Sequence, residues 1–213
     1  MNYTELVAAI QDYTQNEETS FVSNIPNFVE QAEERLNRSI MVPELRKNVS
    51  AATTSGNWYL ARPEDFLSVF SLAVVDSSGD YSFLLDKDVN FIREASPASS
   101  TSGLPQYYAQ FDGDTTTGEG NFILGPTPNA AYTVELHYYY DPPSIKTTTT
   151  SWYGDNAESA LLYGSLIEAY TYMKGEADLI QLYTTRYKEA LGQLTGVQIR
   201  SETDEYRDGK RNA

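Results

Sequence analysis

Hydrophobic positions along this chain repeat at two different intervals, and the change from one to the other divides it into three parts. Near the start, Leu6, Val7, Ile10 and Tyr13 recur at helical spacing and predict a short helix over residues 3–14. Asn16-Glu17-Glu18-Thr19-Ser20 is a polar break. Phe28, Val29, Ala32, Leu36 and Ile40 then form one apolar stripe, with Glu30, Glu33, Glu34, Arg35 and Arg38 assigned to the wet side. The start of this second helix is marked by Ser20 as a cap, or by Asn24 with Pro26 just inside; Pro43 stops it.

From Leu45 the interval falls to two, the signature of strands. Residues 49–53 and 58–60 flank Ser55-Gly56-Asn57 and predict a hairpin. Residues 66–75 are a β-branched apolar run leading to a second tip at Ser77-Ser78-Gly79-Asp80. Further strands are predicted over 81–85, 91–93, 121–124 and 131–140. A small-residue loop covers 96–103, ahead of Leu104-Pro105-Gln106-Tyr107-Tyr108. Many short strands at such spacing predict an antiparallel sandwich or a small barrel.

Asp141-Pro142-Pro143 closes the strand region, and Lys146 with its following threonines reads as a loop. Helical spacing returns over 157–174, where Leu162, Leu166, Tyr170 and Met173 share a face and Gly175 is placed as the C-cap. Ile180, Tyr183, Tyr187, Leu191 and Leu194 align a last helix over 177–194; the break is too short for anything but a helix hairpin. The fold class is therefore α+β. Helices from both ends (1–44 and 151–196) form an antiparallel bundle, a β-rich domain (45–150) is inserted, and a charged extension follows (197–213).

Charge and composition narrow the chemistry. A formal net charge of −15 counts against wrapping a nucleic-acid backbone, which requires clustered Lys and Arg, although an acidic wall lets DNA slide past. No apolar stretch reaches the roughly 20 residues that span a bilayer, and the first residues lack a secretory pattern, so the protein is expected in the cytoplasm or in something assembled there. One histidine, His137, and no cysteine leave no material for a His-based triad or a zinc cluster. Asp112-Gly113-Asp114 lacks the remaining positions of a calcium loop, and Gly118-Glu119-Gly120 is read as a turn. No catalytic residue, cofactor or metal is assigned. The seventeen tyrosines are the unusual feature, because Tyr is enriched at protein interfaces. Tyr138-Tyr139-Tyr140 puts rings on both faces of one strand, which must then be buried twice or meet a partner.

Several stretches in this order carry a resemblance: residues 25–38, Leu104-Pro105-Gln106-Tyr107-Tyr108, Phe122-Ile123-Leu124-Gly125-Pro126-Thr127-Pro128, the Tyr138–Pro143 strand end, and Asn156-Ala157-Glu158 before the helix hairpin. Together they make the chain similar to the head-to-tail adaptor (connector) proteins of tailed bacteriophages, particularly the kind below the portal in short-tailed phages. The resemblance implies a virion protein of the neck, assembled in the host cytoplasm as a ring of usually twelve subunits. Such a ring binds the portal protein, passes DNA without sequence-specific contact, and offers a platform to nozzle or fibre proteins. It also implies a C-terminal extension that reaches the portal. In residues 197–207 the expected anchors are Arg200, Tyr206 and Arg207, since Arg and Tyr dominate interface hot spots. Tyr107, Tyr108, Tyr138, Tyr139 and Tyr140 are the expected contacts to tail proteins or neighbouring subunits. The alternatives are a carbohydrate-binding or weakly peptidoglycan-active tail component, using Trp58 and the tyrosines as a sugar platform, and another neck protein such as a head-completion protein or stopper.

Overall fold

A computed structural model of the chain describes residues 1–97, 101–113 and 120–208, with side chains for all of these except 112–113 and 197–208. In chain order the elements are α1 (Tyr3–Thr14), α2 (Thr19–Val22), α3 (Ile25–Ser39), a 3-10 turn (Pro43–Leu45), β1 (Arg46–Ala52), β2 (Tyr59–Ala61), β3 (Phe66–Val75), β4 (Tyr81–Phe83), β5 (Leu85–Asp86) and α4 (Val89–Ala95). There follow β6 (Ser102–Gly103), β7 (Tyr107–Gly113), β8 (Gly120–Gly125), β9 (Thr127–Pro128), β10 (Thr133–Tyr140), α5 (Ile145–Thr148), α6 (Trp152–Asn156), α7 (Glu158–Tyr172) and α8 (Ala177–Asp208). The chain is mixed α+β and divides into two compact units. One comprises Met1–Glu44 with the chain from Pro142 onward, and the other is Leu45–Asp141.

In the helical unit, α1 is fixed at its start by reciprocal bonds that satisfy two otherwise orphaned amides. The Glu5 N–H donates to Asn2 Oδ1 at 3.0 Å, and the Asn2 N–H donates to Glu5 Oε2 at 2.9 Å. Asn24 does precede α3, with Pro26 in its first turn, and Phe28, Val29, Ala32 and Leu36 are buried as their spacing predicts. Glu33 departs from that prediction. It is buried, and its Oε1 accepts the Ile145 N–H at 2.8 Å, so a charge expected in water instead captures a free amide at the start of α5. The threonine run thus begins as a helical turn, not as an irregular loop.

α7 packs against α1, α3 and α8, which explains why burial runs around it and is not confined to one face. Ala160, Leu161, Leu162, Ser165, Leu166 and Ala169 are all buried. Gly164 sits where an added Cβ would lie 3.1 Å from the Ala32 methyl, so the small residue permits close approach of α3. At the hairpin the left-handed residue is Lys174 (φ 54), while Gly175 is needed for space: a Cβ there would meet the Tyr170 ring at 2.8 Å. α8 does not stop near Leu194 but continues as helix to Asp208.

In the other unit, the first sheet has strand order β1-β10-β3-β4 with every pair antiparallel. The second has order β2-β8-β7-β5, antiparallel except for the short parallel pairing of β5 with β7. A third, two-stranded sheet pairs β6 with β9 in parallel, and none closes into a barrel. The turn at Gly56 forms as expected (φ 79), but it joins strands of different sheets, so the first predicted hairpin does not exist. The tip at Gly79 (φ 88) does close a hairpin between β3 and β4. Residues 91–93, read as a strand, lie in α4, whose N-cap Asp88 accepts the Asn90 N–H at 2.7 Å. Of the two predicted acidic or glycine turns, Asp114, Gly118 and Glu119 lie outside the described residues. Leu60, Leu72, Val74, Tyr108, Phe122, Leu124, Val134, Leu136 and Tyr138 meet in one core cluster fed by both four-stranded sheets.

Candidate interaction surface

Alternation along β10 sorts its aromatic side chains. Val134, Leu136 and Tyr138 point into the core, while Glu135, His137 and Tyr139 point to the outer face of the first sheet. Tyr138 stacks on Phe66 with centroids 5.9 Å apart, and its hydroxyl donates to Asp65 Oδ1 at 2.8 Å. Tyr108 is likewise a core residue, edge-on to Phe122 at 5.7 Å. Tyr107 is half-buried with its ring against Phe91 at 5.3 Å. Tyr140 is half-buried under Lys47, whose Nζ lies 3.8 Å from the ring centre.

Tyr139 belongs to a built cluster on the outer face. The Arg46 guanidinium lies 4.1 Å from the Phe70 ring centre and 5.3 Å from that of Tyr139, and Arg46 Nε donates to the Tyr139 hydroxyl at 3.1 Å. Phe70 sits where the β3–β10 register shifts, between the partners of His137 and Tyr138, and is 50% exposed. A bulge of this kind re-aims a side chain out of the regular alternation. Beyond it, Tyr81 and Phe83 stack at 6.3 Å and are 57% and 66% exposed. Spacing alone marks these positions as strand; the pairing that strips them of cover is set by distant residues, so sequence reading missed Phe70, Tyr81 and Phe83.

Charged groups around the tyrosines are structural. Burial pushes the Asp65 carboxyl up, but hydrogen bonds from Lys47 and Tyr138 outweigh it and hold the group below the usual carboxylate range. Lys47 Nζ is 2.6 Å from Asp65 Oδ2. His137 Nδ1 lies 3.2 Å from Ser71 Oγ and its Nε2 lies 3.7 Å from Glu135 Oε1. Among the described residues no group of three or more His, Cys, Asp or Glu could hold a metal ion. Of the proposed sugar platform, Trp58 has the Arg93 guanidinium 3.5 Å from its ring centre.

Burial raises the hydroxyl pKa of Tyr108, Tyr138 and Tyr183 to about 12, helped by the Asp86 charge, the Asp65 hydrogen bond and the Tyr170 hydrogen bond respectively. An unfolded tyrosine ionises near 10, so the folded chain retains protons that the unfolded chain releases. Stability from these groups is complete below pH ~10 and is lost as pH rises from ~10 to about 12. The urea midpoint should fall across that window, and Tyr138→Phe should make the fall shallower; equal slopes for both proteins would contradict this assignment.

Arg200, Tyr206 and Arg207 lie in the last part of α8, where only the backbone is described. The first turn of α7 lies beside Ala190, Gln193 and Leu194 around a shallow polar depression. From Thr195 to Asp208 the helix axis therefore continues past that turn for about 20 Å. Among the described residues no helix is long and apolar enough to cross a membrane.

No curated protein matches the chain. The family model of the SU10 adaptor protein matches residues 1–212, so the chain belongs to that family of phage adaptor proteins.

Proposed function

We propose that this protein is a head-to-tail adaptor of the virion neck: copies assemble as a ring, of twelve by the family resemblance, on the portal protein. The ring continues the DNA channel and presents a platform to nozzle or fibre proteins. The helices of both chain ends act as one bundle, the strand-rich unit (45–141) as the docking module, and the end of α8 as the arm toward the portal. The observation that carries the reading is the set of aromatic side chains left in water on the strand-rich unit, Phe70, Tyr81 and Phe83 above all. Large apolar groups grouped on one protein face mark a protein partner. The net charge of −15 supports passage of DNA without capture, since an acidic surface cannot replace the counterions of the phosphate backbone.

Analytical ultracentrifugation of the full chain with the purified portal tests this directly. The portal peak should gain the mass of many copies, with ~100-fold weaker association when Arg200 and Arg207 are both changed to Ala. A portal peak of unchanged mass would contradict the proposal.

A further inference from the structure

Among the described residues the first sheet ends in two unlike edges, β1 and β4, each paired on one side only. β1 is seven residues long and runs in unbroken register with β10, with no proline and no bulge to protect its free side. Its one lysine, a common guard of strand edges, is engaged by Asp65 and Tyr140. β4 is short, and beside it Tyr81, Phe83 and Leu85 expose 57%, 66% and 59% of their surfaces at alternate positions. β1 thus lacks the usual guards of a free edge, and β4, though short, leaves large apolar groups in water.

We propose that these edges meet between subunits, β1 of one copy pairing with β4 of the next. This rests on the ring reading above and names its contact. Three observations select a second copy of this chain as the occupant. First, the sheet has four strands and every pair is antiparallel, so β1 and β4 run in opposite directions. A neighbour in the same orientation therefore lays its β1 antiparallel to β4 and continues the sheet without a break. Second, that direction brings the start of β1, Arg46-Lys47, whose charges are also engaged within their own copy, toward the end of β4, which is followed by Asp86-Lys87-Asp88 with one net negative charge. The basic end of one edge thus faces the acidic end of the other. Third, the two edges differ, so the contact is head-to-tail and leaves no edge unpaired only when the copies close into a ring.

The chain has no cysteine, which allows a clean test. Within one subunit β1 and β4 are three strand spacings apart, ~14 Å, beyond the ~7 Å Cα separation a disulfide spans. The full-length double variants Val49→Cys with Ser82→Cys, and Ala51→Cys with Ser82→Cys, are mixed with the portal, oxidised, imaged, and run on a non-reducing gel. These positions share one face of the sheet and sample two registers. Rings that yield a ladder of dimers, trimers and higher species from at least one pair are the expected result. Rings with no ladder from either pair would overturn the edge contact and leave the ring standing. An absence of rings with the unaltered chain would overturn both. Dimers from any single-cysteine variant would show like edges meeting and would also overturn it. In parallel, Phe83→Asp should abolish ring formation with the unfolding midpoint unchanged; rings of normal yield would contradict the proposal.

Discussion

Phe122→Ala is expected to destabilise the strand-rich unit by about 3–5 kcal/mol, a large share of the 5–15 kcal/mol typical of a folded protein. Phe122 is fully buried on β8, and its ring meets Phe66 at 5.5 Å and Tyr108 at 5.7 Å, both edge-on. It stands in the cluster that both four-stranded sheets feed, so the cavity left by truncation opens where the two sheets meet. The three rings are held by one another and by backbone pairing, which limits how far the site can collapse. Urea unfolding followed by tryptophan fluorescence, with Trp58 in the same unit, reads the loss. A change below about 1 kcal/mol would mean that Phe122 is not the centre of this core.

Removal of residues 197–213 is expected to leave both compact units folded and to abolish association with the portal. α8 would still run from Ala177 to Gly196, retaining Tyr183 and Tyr187, which are buried, and the stretch that lies beside the start of α7. With those contacts retained, the midpoint should stay within about 0.5 kcal/mol of the full chain. Circular dichroism against urea measures the first expectation, and co-sedimentation with the portal the second. Retained co-sedimentation would place portal recognition elsewhere on the molecule.

The helices were the most legible part of the sequence because their burial is set by neighbours in the chain. The stripe through Phe28, Val29, Ala32 and Leu36 places α3 without reference to anything else. Strand identity was also legible over 66–75 and 133–140, where alternation and β-branching agree. Strand pairing was not. β1 and β2 are joined by a good turn yet enter different sheets, because each finds a longer partner, β10 and β8, some 60 or more residues away. The strand assigned to 91–93 fails for a local reason: Asp88 caps a helix that turns Ile92 into a small cluster with Ala109 and Ile123. The residues at the end of α8 lack an apolar stripe and so give no sequence signal of a helix, but propagation from a well-packed start needs only one further backbone bond per residue.

The surface was only partly legible. Tyrosine abundance pointed to contacts, but Tyr139, on the outer face of the first sheet, is itself buried there against Arg46 and Phe70. Tyr108 and Tyr138 are spent on the core of the strand-rich unit instead, since the β10 and β7 alternation turns them inward. Exposure of Phe70, Tyr81 and Phe83 follows from a bulge and from the place of β4 at a sheet edge, and neither is encoded at those positions.

An electron cryo-microscopy map of the full-length protein bound to its portal bears on the whole account at once. It should show a closed ring coaxial with the portal, the last turns of α8 against the portal surface, and the Tyr81–Phe83 edge buried between neighbouring copies. Isolated copies scattered on the portal, or a ring whose 81–83 edges all face solvent while α8 ends away from the portal, would contradict it.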